Sequence, residues 1–522
     1  MKRGLPVPAL PGMSPAQSGP VECQEGGEKN DSKSNHMRSL VLTIIILAAS
    51  FVRLPAEQPN ILLILSDDHS VPHVGAYGDA NCQQFKITPN LDAFAAEGMR
   101  FNRAYTSSPQ CAPSRMSIFA GRSPVGLGST RFGQPPAAEI PLFTDLLREN
   151  GYWVGLDGRN HHLDGKNSEL PHVDAEMQAQ GMRGPLFEER FDHSNGGNPT
   201  KGAKLEKVPA MVGAALDEVK DGKPFFLYFG FNQPHRNWGE NHDGIDPEKL
   251  TLPKDWPDIP EVRLDYARYL ADVRDLDHGF GLLMTLLKDR GLDKNTIVIF
   301  MGDNGEALLR GKGTLYGRGL HVPLIIRWPD QVKPGSSSDA LVSGVDLAPT
   351  ILAAVGLNSA KGMTGMSFLP ALLGKPFEGQ DRIFAERGWH SGPITRADGF
   401  DLSRSVITRR YNFIYNALPD RSYWPVDMTE KNIAWEAITA AHQAGTLPKE
   451  QDSMYFQNPR PVFELYDLEN DPFELRNLSG QEAVKTVEEE LRNELDRWMV
   501  REGDGLPLAS EAVPNNVKAN QE

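Results

Sequence analysis

Four short, nearly unbroken apolar runs constrain this chain more than any other feature. They are Asn60-Ile-Leu-Leu-Ile-Leu65 and residues 225–231, 297–301 and 322–328. A strand with one wetted face alternates apolar and polar residues, whereas a continuous run needs cover on both faces, as parallel strands have beneath helices. Helical patterns lie between the runs, over 90–97, 141–150, 264–290 and 346–355. This alternation predicts an α/β fold with a large, mostly parallel central sheet. Ligands of such sheets bind at the carboxyl ends of the strands. Ser66-Asp67-Asp68 and Gly302-Asp303-Asn304 occupy that position, each directly after an apolar run.

Beyond about residue 375 the pattern changes to short β-like pieces, over 405–407, 411–415 and 463–467. A last amphipathic helix follows, with Val484, Val487, Leu491, Leu495 and Trp498 at helical spacing. The expected organisation is a catalytic domain over 57–375, a smaller α+β subdomain over 376–505 and a tail over 506–522. The polar, Gly-rich stretch 160–207 reads as an insertion near the substrate mouth.

Residues 1–56 read as an address. A polar segment precedes Met37-Arg38 and the apolar run 40–52. A positive residue before a short apolar stretch has the form of an export signal. The run is shorter than the roughly 20 residues that span a bilayer. We therefore expect export, with translation starting at Met37, and no stable membrane insertion. A net charge of -15 argues against nucleic-acid binding, which needs basic stripes to neutralise phosphates. Three cysteines, Cys23, Cys82 and Cys111, make no disulfide framework.

The carboxylates call for a cation. Several acidic groups crowded at strand ends repel one another unless a metal neutralises them. Oxygen-only ligands suit calcium, or magnesium where fewer come from the protein. The second chemical element is Thr106-Ser-Ser-Pro-Gln-Cys111-Ala-Pro-Ser114-Arg115, a polar loop entering an apolar helix. Pro113 pre-sets the first turn, and the free N–H groups of a helix start favour anions.

Cys111-Ala-Pro-Ser-Arg115, with Gly121 after it, resembles the signature of the type I sulfatases. The resemblance spans residues 59 to 478, with Asp67-Asp68, Gln233-Pro-His235, Gly302-Asp-Asn-Gly305, Lys312 and Asp346-Leu-Ala-Pro-Thr350 in the family's order. It implies an alkaline-phosphatase-like fold. It also implies oxidation of Cys111 to formylglycine (3-oxoalanine) by a formylglycine-generating enzyme, and a divalent metal, calcium or magnesium. The implied ligands are Asp67, Asp68, Asp303, Asn304 and residue 111. In the family's scheme a hydrated aldehyde attacks sulfur and later releases sulfate, dividing one hard hydrolysis into two steps.

The resemblance carries over Arg115 and Lys312 as fixed cations for the sulfuryl oxygens and His235 as the leaving group's proton donor. Gly158-Arg159-Asn160-His161 resembles the family's Gly-Lys-x-His, which makes His161 the candidate base. Arg159 departs from that pattern, and arginine does not reproduce lysine's geometry. His162 adjoins His161, so a shift of one position would bring it in instead; alone, His162 reads as a surface or core residue.

Within the family, Pro234-His235-Arg236, the 386–390 segment and the 403–416 segment are most similar to the heparan N-sulfatase (sulfamidase) group. The substrate implied is a sulfated saccharide. Candidate pocket residues are Arg236, Glu386, Arg387, His390 and Arg404, each with a structural salt bridge as the alternative. Other readings are a glycan O-sulfatase, a phosphodiesterase of the same superfamily, a non-catalytic sulfoglycan-binding protein, and a structural disulfide between Cys82 and Cys111.

Overall fold

The computed structural model describes residues 58–512 except 135, 138, 160–161, 164–171, 173–174, 177–178, 180–188, 197–199, 201–203, 221, 391–398 and 429–430. The expected export signal, most of the expected insertion and His161 therefore lie outside the described residues. Among the described residues there are fourteen strands: β1 Asn60–Ser66, β2 Met99–Phe101, β3 Ala104–Tyr105, β4 Trp153–Gly158, β5 His193–Asn195, β6 Phe225–Gly230, β7 Thr296–Gly302, β8 Leu324–Arg327, β9 Ser336–Ser338, β10 Val342–Ser343, β11 Arg382–Trp389, β12 Phe400–Thr408, β13 Tyr411–Asn416 and β14 Phe463–Asp467.

The large sheet runs β5-β4-β6-β1-β7-β8-β2-β9. Its first five strands are parallel. β8 pairs antiparallel with both β7 and β2. The fourth apolar run is thus a buried strand of reversed direction, since continuous burial sets cover on both faces but not polarity.

Each face of the sheet owns a core. Along β1, Ile61, Leu63 and Leu65 pack into one cluster with the helices Cys111–Ala120, Phe143–Glu149 and Leu347–Ala354. Leu62 and Ile64 pack into another with the helices Pro89–Glu97, Val208–Asp217 and Pro260–Asp289. Successive side chains of a strand point to opposite faces, so one unbroken run supplies two cores at once.

The small sheet, β11-β12-β13-β14, is antiparallel throughout. Its outer face is closed by the helix Lys485–Glu502 through Leu491, Leu495, Trp498 and Met499. Phe384 stacks on Trp498 with ring centroids 5.2 Å apart. Its inner face, through Ile383, Ala385, Ile407 and Ile414, meets Tyr105, Leu315 and Leu341 of the larger part. The helices Ile433–Gln443 and Lys449–Phe456 leave this sheet and share a core with Tyr266 and Leu270 of the long helix. Within the expected tail, Ala509 is buried against the small sheet's outer cluster. No helix among the described residues is long and apolar enough to cross a membrane.

Candidate active site

Four adjacent parallel strands end at one level. Ser66 of β1 stands opposite Gly302 of β7, and Gly158 of β4 stands opposite Gly230 of β6. Asp67-Asp68, Asp303-Asn304, Arg159 and the turn Phe231–His235 therefore leave the sheet side by side. Gly158 makes this possible: it has φ +80°, and a Cβ there would fall 2.3 Å from the Gly230 carbonyl oxygen.

The helix Cys111–Ala120 points its first turn at this edge, with Gln110 as its N-cap. Cys111 Sγ donates to Asp67 Oδ1 at 3.2 Å and lies 3.8 Å from Asp68 Oδ1. One turn on, Arg115 Nε donates to Asp303 Oδ2 at 2.8 Å, and its Nη2 lies 3.1 Å from Asp67 Oδ2. The Asp68 N–H donates to Asp303 Oδ1 at 3.0 Å, and Asn304 Nδ2 donates to Asp68 Oδ1 at 2.9 Å. Lys312 Nζ lies 2.9 Å from Asp68 Oδ1.

Arg159 fans out as no lysine could. Its Nε pairs with Asp67, its Nη1 reaches Asn232 Oδ1, and its Nη2 lies 3.2 Å from His162 Nε2. A planar fork holds three partners at fixed angles; an ammonium cannot. His162 thereby enters the site: its nitrogen, Cys111 Sγ and oxygens of Asp67 and Asp303 all lie within 4.8 Å of one another.

These groups lie out of water, and their protonation records it. Burial opposes charge on Asp67, but Arg159 and Arg115 hold its carboxyl well below the usual range. Burial pushes Asp68 up to about 6, Asp67 adding to it against Lys312. Burial and then Asp67 push Asp303 up to about 7. Burial, with Asp67 next, drives the Cys111 thiol well above its ordinary range. A cysteine nucleophile works as thiolate beside a cation; this one is kept protonated among carboxylates. Burial, then Lys312 and Arg159, hold His235 down at about 3. Its Nδ1 faces the Arg236 carbonyl, an acceptor only, so the neutral ring leaves Nε2 with a free lone pair.

The donor set fits a hard divalent cation. Three carboxylates converge, two of them reluctant to ionise, and Asn304 Oδ1 is buried without a hydrogen-bond partner among the described residues. A cation would compensate all of these at once.

Of the candidates named from sequence, Asp67, Asp68, Cys111, Arg115, Arg159, His235, Asp303, Asn304 and Lys312 meet here. His390 borders them, its ring 4.8 Å from that of Phe132, which also meets His162. Arg387 lies beside Gly313 and lines a neighbouring cavity of about 230 Å³. Three candidates stand apart. Arg236 is closed in a two-pronged pair with Asp265, at 2.9 and 2.6 Å. Arg404 pairs with Asp504 and donates to the Arg387 carbonyl. Glu386 is fully buried within strand β11 of the small sheet. The charges of Arg236 and Arg404 are thus matched by aspartates of the protein itself.

Sequence reading missed Asp427, Asn232 and Tyr228. Asp427 Oδ2 lies 2.8 Å from Lys312 Nζ and 3.8 Å from His235 Nε2. Nothing in its surroundings, Trp424-Pro-Val-Asp427-Met428, marks it. Asn232 adjoins the Gln233-Pro-His235 motif, a usable signal. Tyr228 takes a hydrogen bond from Arg115 and donates to the Arg159 carbonyl at 3.1 Å; it sits within a strand read only as core.

Comparison with known proteins agrees with this geometry. The sulfatase family model matches residues 59–357. The chain belongs to the sulfatase family. A second model, the C-terminal region of N-sulphoglucosamine sulphohydrolase, matches residues 305–417. This sulfatase is 27% identical to an ulvan-active sulfatase of Formosa agariphila, over 90% of this chain and 79% of that one. It is 28% identical to the human N-sulphoglucosamine sulphohydrolase, over 88% of this chain and 93% of that one. An enzyme solved with its substrate D-glucosamine-2-N,6-O-disulfate shares the fold at TM-score 0.62 and 19% identity, covering 86% of this chain and 99% of that one. A phosphonate monoester hydrolase from Silicibacter pomeroyi shares it at TM-score 0.60 and 20% identity, covering 85% and 96%. The protein is therefore a sulfatase hydrolase of alkaline-phosphatase-like fold, of a family that acts on sulfated saccharides. Cys82 and Cys111 are both free and buried, against the structural disulfide.

Proposed function

We propose that this sulfatase removes the N-sulfate of glucosamine residues in exported glycan breakdown, working with Cys111 as formylglycine and a divalent cation held by Asp67, Asp68, Asp303 and Asn304. The observation carrying the substrate is the N-sulphoglucosamine sulphohydrolase match over 305–417, which spans Lys312, Arg387 and His390. The observation supporting the modification is the place of Cys111, first residue of its helix, with Sγ 3.2 Å from Asp67 Oδ1 and 3.8 Å from Asp68 Oδ1 in the carboxylate cluster. When present, the cation would supply Lewis acidity toward a sulfuryl oxygen, and the hydrated aldehyde of residue 111 would supply a hydroxyl as the oxygen nucleophile.

The chain's own residues do the rest. Arg115 bridges Asp67 and Asp303, and Arg159 joins it on Asp67 Oδ2, which leaves Asp67 Oδ1 toward residue 111. Lys312 presents an ammonium to the sulfuryl oxygens, where negative charge grows. His235 is neutral before substrate arrives; a bound anion raises its proton affinity, and Nε2 then carries the proton that the departing amine needs. His162, beside Arg159 at 3.2 Å, is a candidate for the base role that the resemblance assigned to His161, which lies outside the described residues.

A glycan O-sulfatase is the second reading, favoured by the similar identity to the ulvan-active relative. Turnover of N-sulfoglucosamine against glucosamine 6-O-sulfate decides between them. Faster release from the sulfamate supports the first reading and the reverse overturns it. Mass spectrometry of the Cys111 peptide tests the aldehyde, and assay against an aryl phosphonate tests the superfamily's other chemistry.

A further inference from the structure

Asp427 is a carboxylate where an anion-binding site should not want one. Lys312 already has a buried partner in Asp68, at 2.9 Å on its inner side. Asp427 approaches from the other side, at 2.8 Å. The Lys312 and Asp68 side chains are 1% and 0% exposed, but that of Asp427 is 27% exposed. It also lies 3.8 Å from Nε2 of His235, the atom proposed to protonate the leaving group.

Its placement is enforced by its neighbours. Val426 and Met428 are both buried, Met428 in the core shared with Tyr266 and Trp435. Val426 fills the space above Gly313, where a Cβ would come within 2.3 Å of it. Between these anchors Asp427 takes φ +61°, a left-handed conformation that residues with a Cβ adopt sparingly, aspartate and asparagine most readily. The chain is thus turned so that this carboxylate faces the mouth. There it repels the substrate's sulfate, a penalty that a partner on the substrate has to offset.

We propose that Asp427 is a specificity-determining residue: it accepts a hydrogen bond from an N–H or O–H donor on the departing sugar, and it disfavours leaving groups that carry a carboxylate at that place. The inference rests on the sulfatase reading of the site and extends it to the leaving side. A site built to bind a donor discriminates strongly against an analogue without one, because its own polar group is then left unpaired. Aryl sulfates, whose leaving group carries no such donor, should feel Asp427 least.

The test compares wild type with Asp427→Asn and Asp427→Ala, each with verified aldehyde content. kcat/KM is measured on N-sulfoglucosamine and on 4-nitrophenyl sulfate, and the Ki of free glucosamine is measured against the aryl sulfate. We expect the variants to lose at least about tenfold more on the sugar than on the aryl sulfate, mainly through KM, and the Ki to rise by about tenfold. Equal losses on both substrates with an unmoved Ki would mean that Asp427 only holds Lys312, and would overturn the proposal. So would a wild type that glucosamine does not inhibit. A wild type that cleaves aryl sulfate and binds glucosamine but spares the sulfamate would sink the N-sulfatase reading alone, and the Ki comparison would still decide Asp427.

Discussion

The carboxyl edge of the large sheet and the body of the small sheet bury the same residue types. On the small sheet, Arg404 is matched by Asp504 and Arg387 by Asp401, and Arg460 closes on the second Asp401 oxygen at 2.9 Å. At the large sheet's edge, Asp68 and Asp303 are pushed toward protonation and Asn304 Oδ1 has no partner. The small sheet's ion pairs are closed within the protein, although Glu386 on the same sheet is likewise pushed up to about 7 by burial. What sets the large sheet's edge apart is that several such groups converge on one another, so closed pairs mark architecture and a cluster of carboxylates with valences left over marks a candidate site.

The strongest test of the contrast is Cys111→Ala. Turnover should fall by about 10⁴-fold or more, at least about 5.5 kcal/mol of barrier, while the thermal midpoint barely moves. Retained activity would move the chemistry elsewhere.

Next comes the cation. Exhaustive chelation should cost about a hundredfold or more in activity, and added calcium or magnesium should raise the midpoint of the chelated wild type by ligand linkage. Asp303→Asn should show no such rise, read by calorimetry without any assay. A full rise in that variant would place the ion elsewhere.

The small sheet should respond the opposite way. Asp504→Ala leaves the buried Arg404 with only Glu386, 3.9 Å away, as an acidic partner, at a cost of up to about 3–5 kcal/mol in denaturant unfolding. Activity per folded molecule should be kept, since neither residue meets the site. A loss of kcat without loss of stability would blur the distinction drawn above.

The smallest effect is a slope. Burial pushes Glu386 up to about 7 from an ordinary 4.5. Between those values the folded protein keeps a proton that the unfolded chain releases, so this group's contribution to stability declines as pH rises from about 4.5 to 7. Glu386→Gln should flatten that decline by at most about 3 kcal/mol. An unchanged profile of stability against pH would show that Glu386 does not titrate there.

Much of this was legible before any coordinates. The apolar runs gave the sheet because double burial leaves a plain mark on composition, and the acids behind them gave the edge. The polarity of β8 was not legible, because an antiparallel strand buried on both faces reads the same as a parallel one. The strand β4, Trp153–Gly158, escaped because its two glycines and Asp157 interrupt the run. Among site residues, those belonging to local motifs were found. Asp427 was not: a single acid reaches Lys312 only through a fold that joins positions far apart in the chain. Arg236 and Arg404 stayed open between a sugar contact and a salt bridge, because an arginine that binds a sugar and one that closes on an aspartate look alike until the aspartate is located.

The level ending of β1 and β7 has a consequence for assembly. Asp68 and Asp303 stand 235 residues apart in the chain, and the two strands that carry them are neighbours at the centre of the sheet. The proposed ion pocket cannot exist in any nascent fragment short of β7, so metal capture cannot begin folding; it can only reward its completion. Once in place, an ion shared by these two strand ends would act as a clasp across that long loop, and its loss would loosen the middle of the molecule first.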